Sequence, residues 1–136
     1  MPKVRKSYFN FSYFYGLEGD MEAKAVVKYV HTSPQKARLV VDLIRGIRVE
    51  EAQNILTFTK KHAARVVSKV LKSAIANAGQ NPNIDKNILY VKKIFVDQGP
   101  SMKRWRARAQ GRVAAIKKRT SHITVILDEE WLTRKK

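Results

Sequence analysis

Cysteine is absent from this chain. That removes disulfide staples, thiolate metal sites and cysteine nucleophiles together. Acidic residues are scarce, 11 Asp plus Glu against 28 Lys plus Arg in 136 residues, for a formal net charge of +17. Such an excess of cations points first to nucleic acid as a partner and second to an anionic membrane surface. No apolar run approaches the roughly 18 residues a spanning helix needs, so a soluble chain with no membrane partner is expected. Internal repeats and low-complexity tracts are missing as well. The three histidines, His31, His62 and His122, show no metal-ligand spacing. His31 stands two residues from Ser33 with no orienting carboxylate, which makes a weak triad. The acids gather at Glu50-Glu51 and Asp128-Glu129-Glu130, where a helix start and a C-terminal tail account for them. No GxxxxGK[ST] phosphate loop occurs. The sequence therefore supports neither an active site nor a cofactor.

What is present begins with apolar residues, 44 % of the chain, enough for a real core in one domain. The first twenty residues stand apart: MPKVRKSYFNFSYFYGLEGD turns from basic to crowded with Tyr8, Phe9, Phe11, Tyr13, Phe14 and Tyr15. A secretory signal wants an aliphatic stretch and small residues at a cleavage site, and a transit peptide lacks such an aromatic block. Two readings stand. In one, residues 1–20 are a disordered extension whose aromatics stack on RNA bases. In the other, Met21 is the true start. Leu17-Glu18-Gly19-Asp20 can be back-translated, among its degenerate codon choices, as CTG GAG GGT GAC, which would set a GGAGG ribosome-binding string ahead of the Met21 codon.

From residue 21 to 136 one domain is expected. Ala23 to Thr32 is β-branched and loosely alternating, a strand. Ser33-Pro34 opens a helix as N-cap and first helical residue, with Lys36 where a capping box would need Glu or Gln. Ala37, Val40, Val41 and Ile44 share its inner face, and Gly46 supplies the stop. Lys36, Arg38 and Arg45 are left for solvent or RNA. A short second helix carries Glu50 and Glu51 in its first turn and Ala52, Ile55 and Leu56 inward. Thr59 is expected to cap the third and longest helix, Lys60 to about Ala78. Its core series is Ala63, Val66, Val67, Val70, Leu71, Ala74, Ile75 and Ala78. Its other side carries Lys61, Arg65, Lys69 and Lys72 with no acid, either a solvated face or an RNA contact. Gly79 and Asn81-Pro82 end it.

The rest is organised around Asp97 to Leu127. Between Lys103 and Arg119 lie eight cations (Lys103, Arg104, Arg106, Arg108, Arg112, Lys117, Lys118 and Arg119) and no acid. β-type runs flank them, Ile88 to Val96 and Thr120 to Leu127. The spacing predicts an antiparallel hairpin over about 97–120 with Gly111 near its tip. Some 20 extended residues would reach roughly 60 Å, beyond any core this chain could build. The arm must leave its own domain and meet an anionic host. Arg104, Arg106 and Arg108 alternate with Trp105, Ala107 and Ala109, guanidinium groups on one side and small or aromatic residues on the other. Arginine forks suit phosphate, and Trp105 offers a stacking surface. Arg104, Arg108 and Arg112 also fit one face of a helix; Pro100 and Gly111 favour the ribbon. Small residues near the turn permit close approach to another surface.

Five ordered segments carry a resemblance: SPQKARLVVDLIRG (Ser33 to Gly46), VLKSAIANA (Val70 to Ala78), FVDQGPSMKR (Phe95 to Arg104), RAQGR (Arg108 to Arg112) and KRTSHITV (Lys118 to Val125). Over about Met21 to Leu127 the chain resembles the large-subunit ribosomal protein twenty-two family in its bacterial form. The resemblance implies an α+β fold, a small antiparallel three-stranded sheet packed on three helices with a long protruding β-hairpin. It also implies a cytoplasmic, ribosomal location. The partners implied are large-subunit rRNA, neighbouring large-subunit proteins and the nascent polypeptide, with no homo-oligomer. In that family the globular part docks on rRNA near the peptide exit, and the hairpin threads between rRNA domains and lines the nascent-chain tunnel. Carried over, Met102, Lys103, Arg104, Gly111 and Arg112 stand at or near the tunnel wall, and Ser33 to Arg38 belong to the docking surface. The expected rRNA contacts are Ser33, Lys36, Arg38 and Arg45, then Lys60, Lys61, Arg65, Lys69 and Lys72. On the arm and its return they are Lys103, Arg104, Trp105, Arg106, Arg108, Lys117, Lys118, Arg119 and His122. The sequence departs from the family pattern at Ala107, where many relatives carry proline, and at Ala114-Ala115, which replaces a more polar pair. Residues 1–20 have no counterpart in it. A competing class is a DNA-architectural protein whose ribbon arms wrap the minor groove. Such proteins dimerise through a broad apolar surface and carry an apolar wedge at the arm tip. Here the tip reads Gln110-Gly111-Arg112, and no spare apolar helix face is left for a dimer.

Overall fold

Alternation with period two decides which way the sheet faces. In β1 (Ala23–Val30), Ala23 and Ala25 are buried while Lys24 and Val26 are exposed. The computed structural model describes residues 22–82 and 84–129. The extension expected over Met1 to Asp20, with its possible internal start at Met21, lies outside the described residues. After β1 come α1 (Pro34–Val41), α2 (Val49–Phe58) and α3 (His62–Ala78). The remaining strands are β2 (Tyr90–Gln98), β3 (Met102–Ala107), β4 (Val113–Lys118) and β5 (Ser121–Asp128). β1, β5 and β2 form an antiparallel sheet in that order, with β5 central. The fold is α+β, as expected: three strands, three helices and a separate two-stranded hairpin.

The core lies between the sheet's inner face and the helices. β5 contributes Ile123, Val125 and Leu127, all fully buried. α3 packs on β1 and β5, α1 packs on β2, and α2 packs on α3. α3 buries Ala63, Val67, Val70, Leu71, Ala74 and Ala78, with Val66 and Ile75 half-buried at its margin. Each large side chain buried in this way stabilises the fold by roughly 1.5–3 kcal/mol. Ala64 is buried as well, a position the helical series had left out.

Some local expectations yield to tertiary context. Ser33 occupies the N-cap position of α1, but its hydroxyl makes no capping bond. Gly46 is not the immediate stop: α1 ends at Val41. Gly46 lies five residues on at φ 75°, where its N–H donates to the Val91 carbonyl. Thr59 closes α2 instead of opening α3, because its hydroxyl bonds back to the Ile55 carbonyl at 2.7 Å. Lys60 and Lys61 therefore precede the helix, which begins at His62. Ile55 is exposed, since only Ala52 and Leu56 of the expected trio turn toward α3.

The open edge of β2 is covered from within. Residues 46–49 pair with its beginning through Gly46 N–H to Val91 O, Val91 N–H to Ile47 O and Val49 N–H to Leu89 O. Further along, Arg45 donates to the Ile94 carbonyl and Arg38 donates twice to the Val96 carbonyl. Guanidinium groups thus occupy edge acceptors that would otherwise invite another strand. Near the start of β2, Lys92 bridges Asp128 at 2.6 Å and also Glu22. These contacts hold the Lys92 ammonium above the usual lysine value, Asp128 contributing first and Glu22 next.

Candidate nucleic-acid interface

The hairpin is a ribbon and not a helix. β3 and β4 pair antiparallel from Met102–Lys118 to Ala107–Val113. Because the limbs double back, the six-residue paired section extends about 20 Å. The single-strand figure of roughly 60 Å does not apply. The ribbon is also not continuous with the sheet. A neck at Gly99–Ser101 and Arg119–Thr120 separates it from β2 and β5. Two bonds tie the neck, Gly99 N–H to Thr120 O at 2.9 Å and the Thr120 hydroxyl to Pro100 O at 2.6 Å. A Cβ on Gly99 would stand 2.4 Å from the Thr120 hydroxyl oxygen, so only glycine allows that approach.

Residues directly opposite one another in an antiparallel pair share a face. One face therefore carries Met102, Arg104 and Arg106 beside Lys118, Ile116 and Ala114. Ile116 and Ala114 are half-buried there, next to the arginine stems. The other face carries Lys103 opposite Lys117, then Trp105 opposite Ala115 and Ala107 opposite Val113. Trp105 is 70 % exposed, an indole left open on an otherwise basic arm. The Lys103–Lys117 pair sets two like charges directly opposite one another across the strands, which is unfavourable. Among the described residues no carboxylate lies within ion-pair distance of any arm cation. The arm is thus a rack of uncompensated charge with almost nothing buried beneath it. Phosphate oxygens would accept from its forked donors and relieve the repulsion.

At the tip, Arg108 N–H donates to the Arg112 carbonyl, and Gln110 and Gly111 take φ of 59° and 66°. A Cβ on Gly111 would touch nothing within 4 Å, so glycine is favoured there by backbone conformation and not by space. Arg108 and Arg112 are exposed on either side of the turn.

The remaining candidates fall into three groups. On α3, Arg65, Lys69 and Lys72 are exposed on one side, continued by Lys60 and Lys61 ahead of the helix. At the arm's base, Ser33 and Lys36 from the start of α1 meet Met102, Lys117, Lys118 and Arg119 around a cleft of about 460 Å³. His31 completes that cleft. The sequence offered His31 only as a triad partner for Ser33, and nothing local revealed that the chain would bring it to the arm. The third group is engaged elsewhere. Arg38 and Arg45 hold the β2 carbonyls, and Arg45 also pairs with Asp42 at 3.0 Å. His122 accepts the Tyr29 backbone N–H on Nδ1 at 3.0 Å and meets the Tyr29 ring edge-on. Tyr29 itself sits at φ 58° in the bulge between Val27 and Val30.

Sequence comparison agrees with this geometry. Residues 25–128 match the family described as ribosomal protein L22p/L17e. The large ribosomal subunit protein uL22 of Syntrophus aciditrophicus is 72 % identical over 110 residues, 81 % of this chain and 100 % of that protein. The uL22 proteins of Thermus thermophilus and Desulforamulus reducens are 59 % and 58 % identical over 110 residues, each covering 81 % of this chain and 97 % of the relative. The matched span includes the whole three-stranded sheet but for two residues of β1, all three helices and the entire arm. The chain belongs to the ribosomal protein L22p/L17e family.

Proposed function

We propose that this chain is a structural component of the large ribosomal subunit, not an enzyme. It binds large-subunit rRNA through its globular domain and its basic hairpin, and the hairpin lines the nascent-peptide tunnel. The observation that carries the reading is the arm: a solvent-exposed ribbon of cations with no carboxylate of the described residues within ion-pair reach and no core of its own. Such charge is stabilised by binding a dense array of phosphates, with release of the counterions that surround them. Family membership supports a ribosomal host, because the relatives are large-subunit proteins by name. The unit that does this is a single domain from about residue 21, with its arm over about 97–120. Neighbouring subunit proteins and the nascent chain are the remaining partners, and the location is the cytoplasmic ribosome. Within the described residues no helix is long and apolar enough to cross a membrane.

In mechanism, the two ribbon faces divide the work. Arg104, Arg106 and Lys118 present forked and point donors to phosphates on one face. Trp105 offers its ring to an unstacked base on the other. The tip, with Gly111 and Arg112, is narrow enough to reach a tunnel wall, and Met102, Lys103 and Arg104 stand nearer the base. A photo-crosslinker at Arg112 in ribosomes stalled with a nascent chain tests the tunnel role. Crosslinks to the nascent chain are expected from Arg112 and none from Lys69 on α3. Equal capture from both positions would overturn it.

A further inference from the structure

The cleft at the arm's base joins two parts of the molecule that the sequence keeps about seventy residues or more apart. From the globular side come Ser33 and Lys36, at the start of α1, and His31; from the arm come Met102 and the run Lys117, Lys118 and Arg119. Four cations converge, and among the described residues no carboxylate lines the space. It is open to solvent, with a volume of about 460 Å³. The Ser33 hydroxyl makes no capping bond, and the first intrahelical bond of α1 begins only at Ala37 N–H. Beside the cations stand an imidazole and a thioether, surfaces on which a base or sugar can lie.

We propose that this cleft seats one nucleotide of an RNA strand, and that the seated nucleotide fixes the angle of the arm against the globular domain. This rests on the rRNA reading above and adds a location and a consequence to it. The phosphate sits among Lys36, Lys118 and Arg119, and the base rests on His31 and Met102. The consequence follows from the neck. Among the described residues two hydrogen bonds cross the neck, at Gly99 and Thr120, and both link its own two limbs, so the free arm swings about residues 99–101 and 119–120. A ligand gripped by α1 on one side and by the return limb on the other closes a second link between body and arm. RNA binding and arm orientation are then one event.

The test uses the full chain, whose lack of cysteine allows two introduced thiols to be labelled cleanly. Spin labels at Ala76→Cys on α3 and Ala109→Cys at the tip report the body-to-arm distance. The probe is a short oligouridylate at low salt. Its addition is expected to narrow a broad distance distribution to a single peak. Lys36→Gln with Arg119→Gln is expected to abolish the narrowing and to weaken binding about tenfold. Both residues are exposed, and Lys36→Arg with Arg119→Lys is expected to restore the narrowing. Lys69→Gln with Lys72→Gln removes the same charge from α3, and should weaken binding while leaving the narrowing intact. Binding with an unchanged distribution, or narrowing lost equally in both double variants, overturns the seat and leaves the rRNA reading standing. Narrowing by inorganic phosphate alone overturns the nucleotide as the ligand. No binding of the oligonucleotide at all overturns both.

Discussion

At the scale of single residues, side chains that look alike in the sequence do different work. Trp105 and Lys92 show the contrast. Trp105 is open to solvent and touches no core, so Trp105→Ala should leave folding stability within about 0.5 kcal/mol. Its affinity for an rRNA fragment should fall by about 1–3 kcal/mol, and Trp105→Phe should recover most of that. Thermal melts and filter binding on the same variants check this; a lowered melting point with unchanged affinity would make Trp105 a structural residue. Lys92 is the converse, a cation spent on the fold. Lys92→Met removes the ammonium that bridges Asp128 and Glu22, and should destabilise by about 1–3 kcal/mol. The ammonium is held above its ordinary value by Asp128 and then Glu22. Its contribution is therefore fully present below the unfolded lysine value of about 10.4 and is lost as pH rises through the higher folded value. Unfolding of wild type and Lys92→Met should differ by a constant amount from pH 7 to about 9 and converge only above about 10.4. A gap that closed by neutral pH would contradict the assignment.

At the scale of elements, the neck makes the hairpin a unit of its own. Amide exchange on the free protein should be fast across Met102 to Lys118 and slow in β5, although both are fully paired ribbons. The reason is that β5 lies over a buried core and β3 is exposed at every residue. Protection of the arm equal to that of β5 would refute the separation. Gly99→Ala should act on the neck, since the added methyl meets both the Thr120 hydroxyl and the His122 ring. Relieving it should cost about 1–3 kcal/mol. The elements also show what a sequence can disclose. The periods of α3 and of the strands are local, so helix, strands and hairpin were all legible, and the five ordered segments named the family. The positions of Thr59, Ile55 and Gly46 were not, because each is decided by a neighbour outside its own period. Arg38 and Arg45 were read as RNA contacts, but each first meets a carbonyl about fifty residues away or more. The arm's cations announced themselves by their unrelieved charge. The cleft could not, since it joins residues 31–36 to 102 and 117–119 across the fold.

At the scale of the whole molecule, charge is distributed by role. The few described acids that form ion pairs do so with Arg45 and Lys92, at the edge and end of the sheet. The arm, the cleft and the outer side of α3 are left cationic. A molecule built in this way should fold without RNA, because its core does not involve those surfaces, and should bind RNA through phosphates above all. The salt dependence of binding to a large-subunit rRNA fragment tests that most directly. If about eight arm cations engage phosphates, log K against log salt should fall with a slope of roughly −6 to −7, and more steeply if α3 joins. A slope shallower than about −2 would mean that these charges do not sit on phosphates, and would contradict the account.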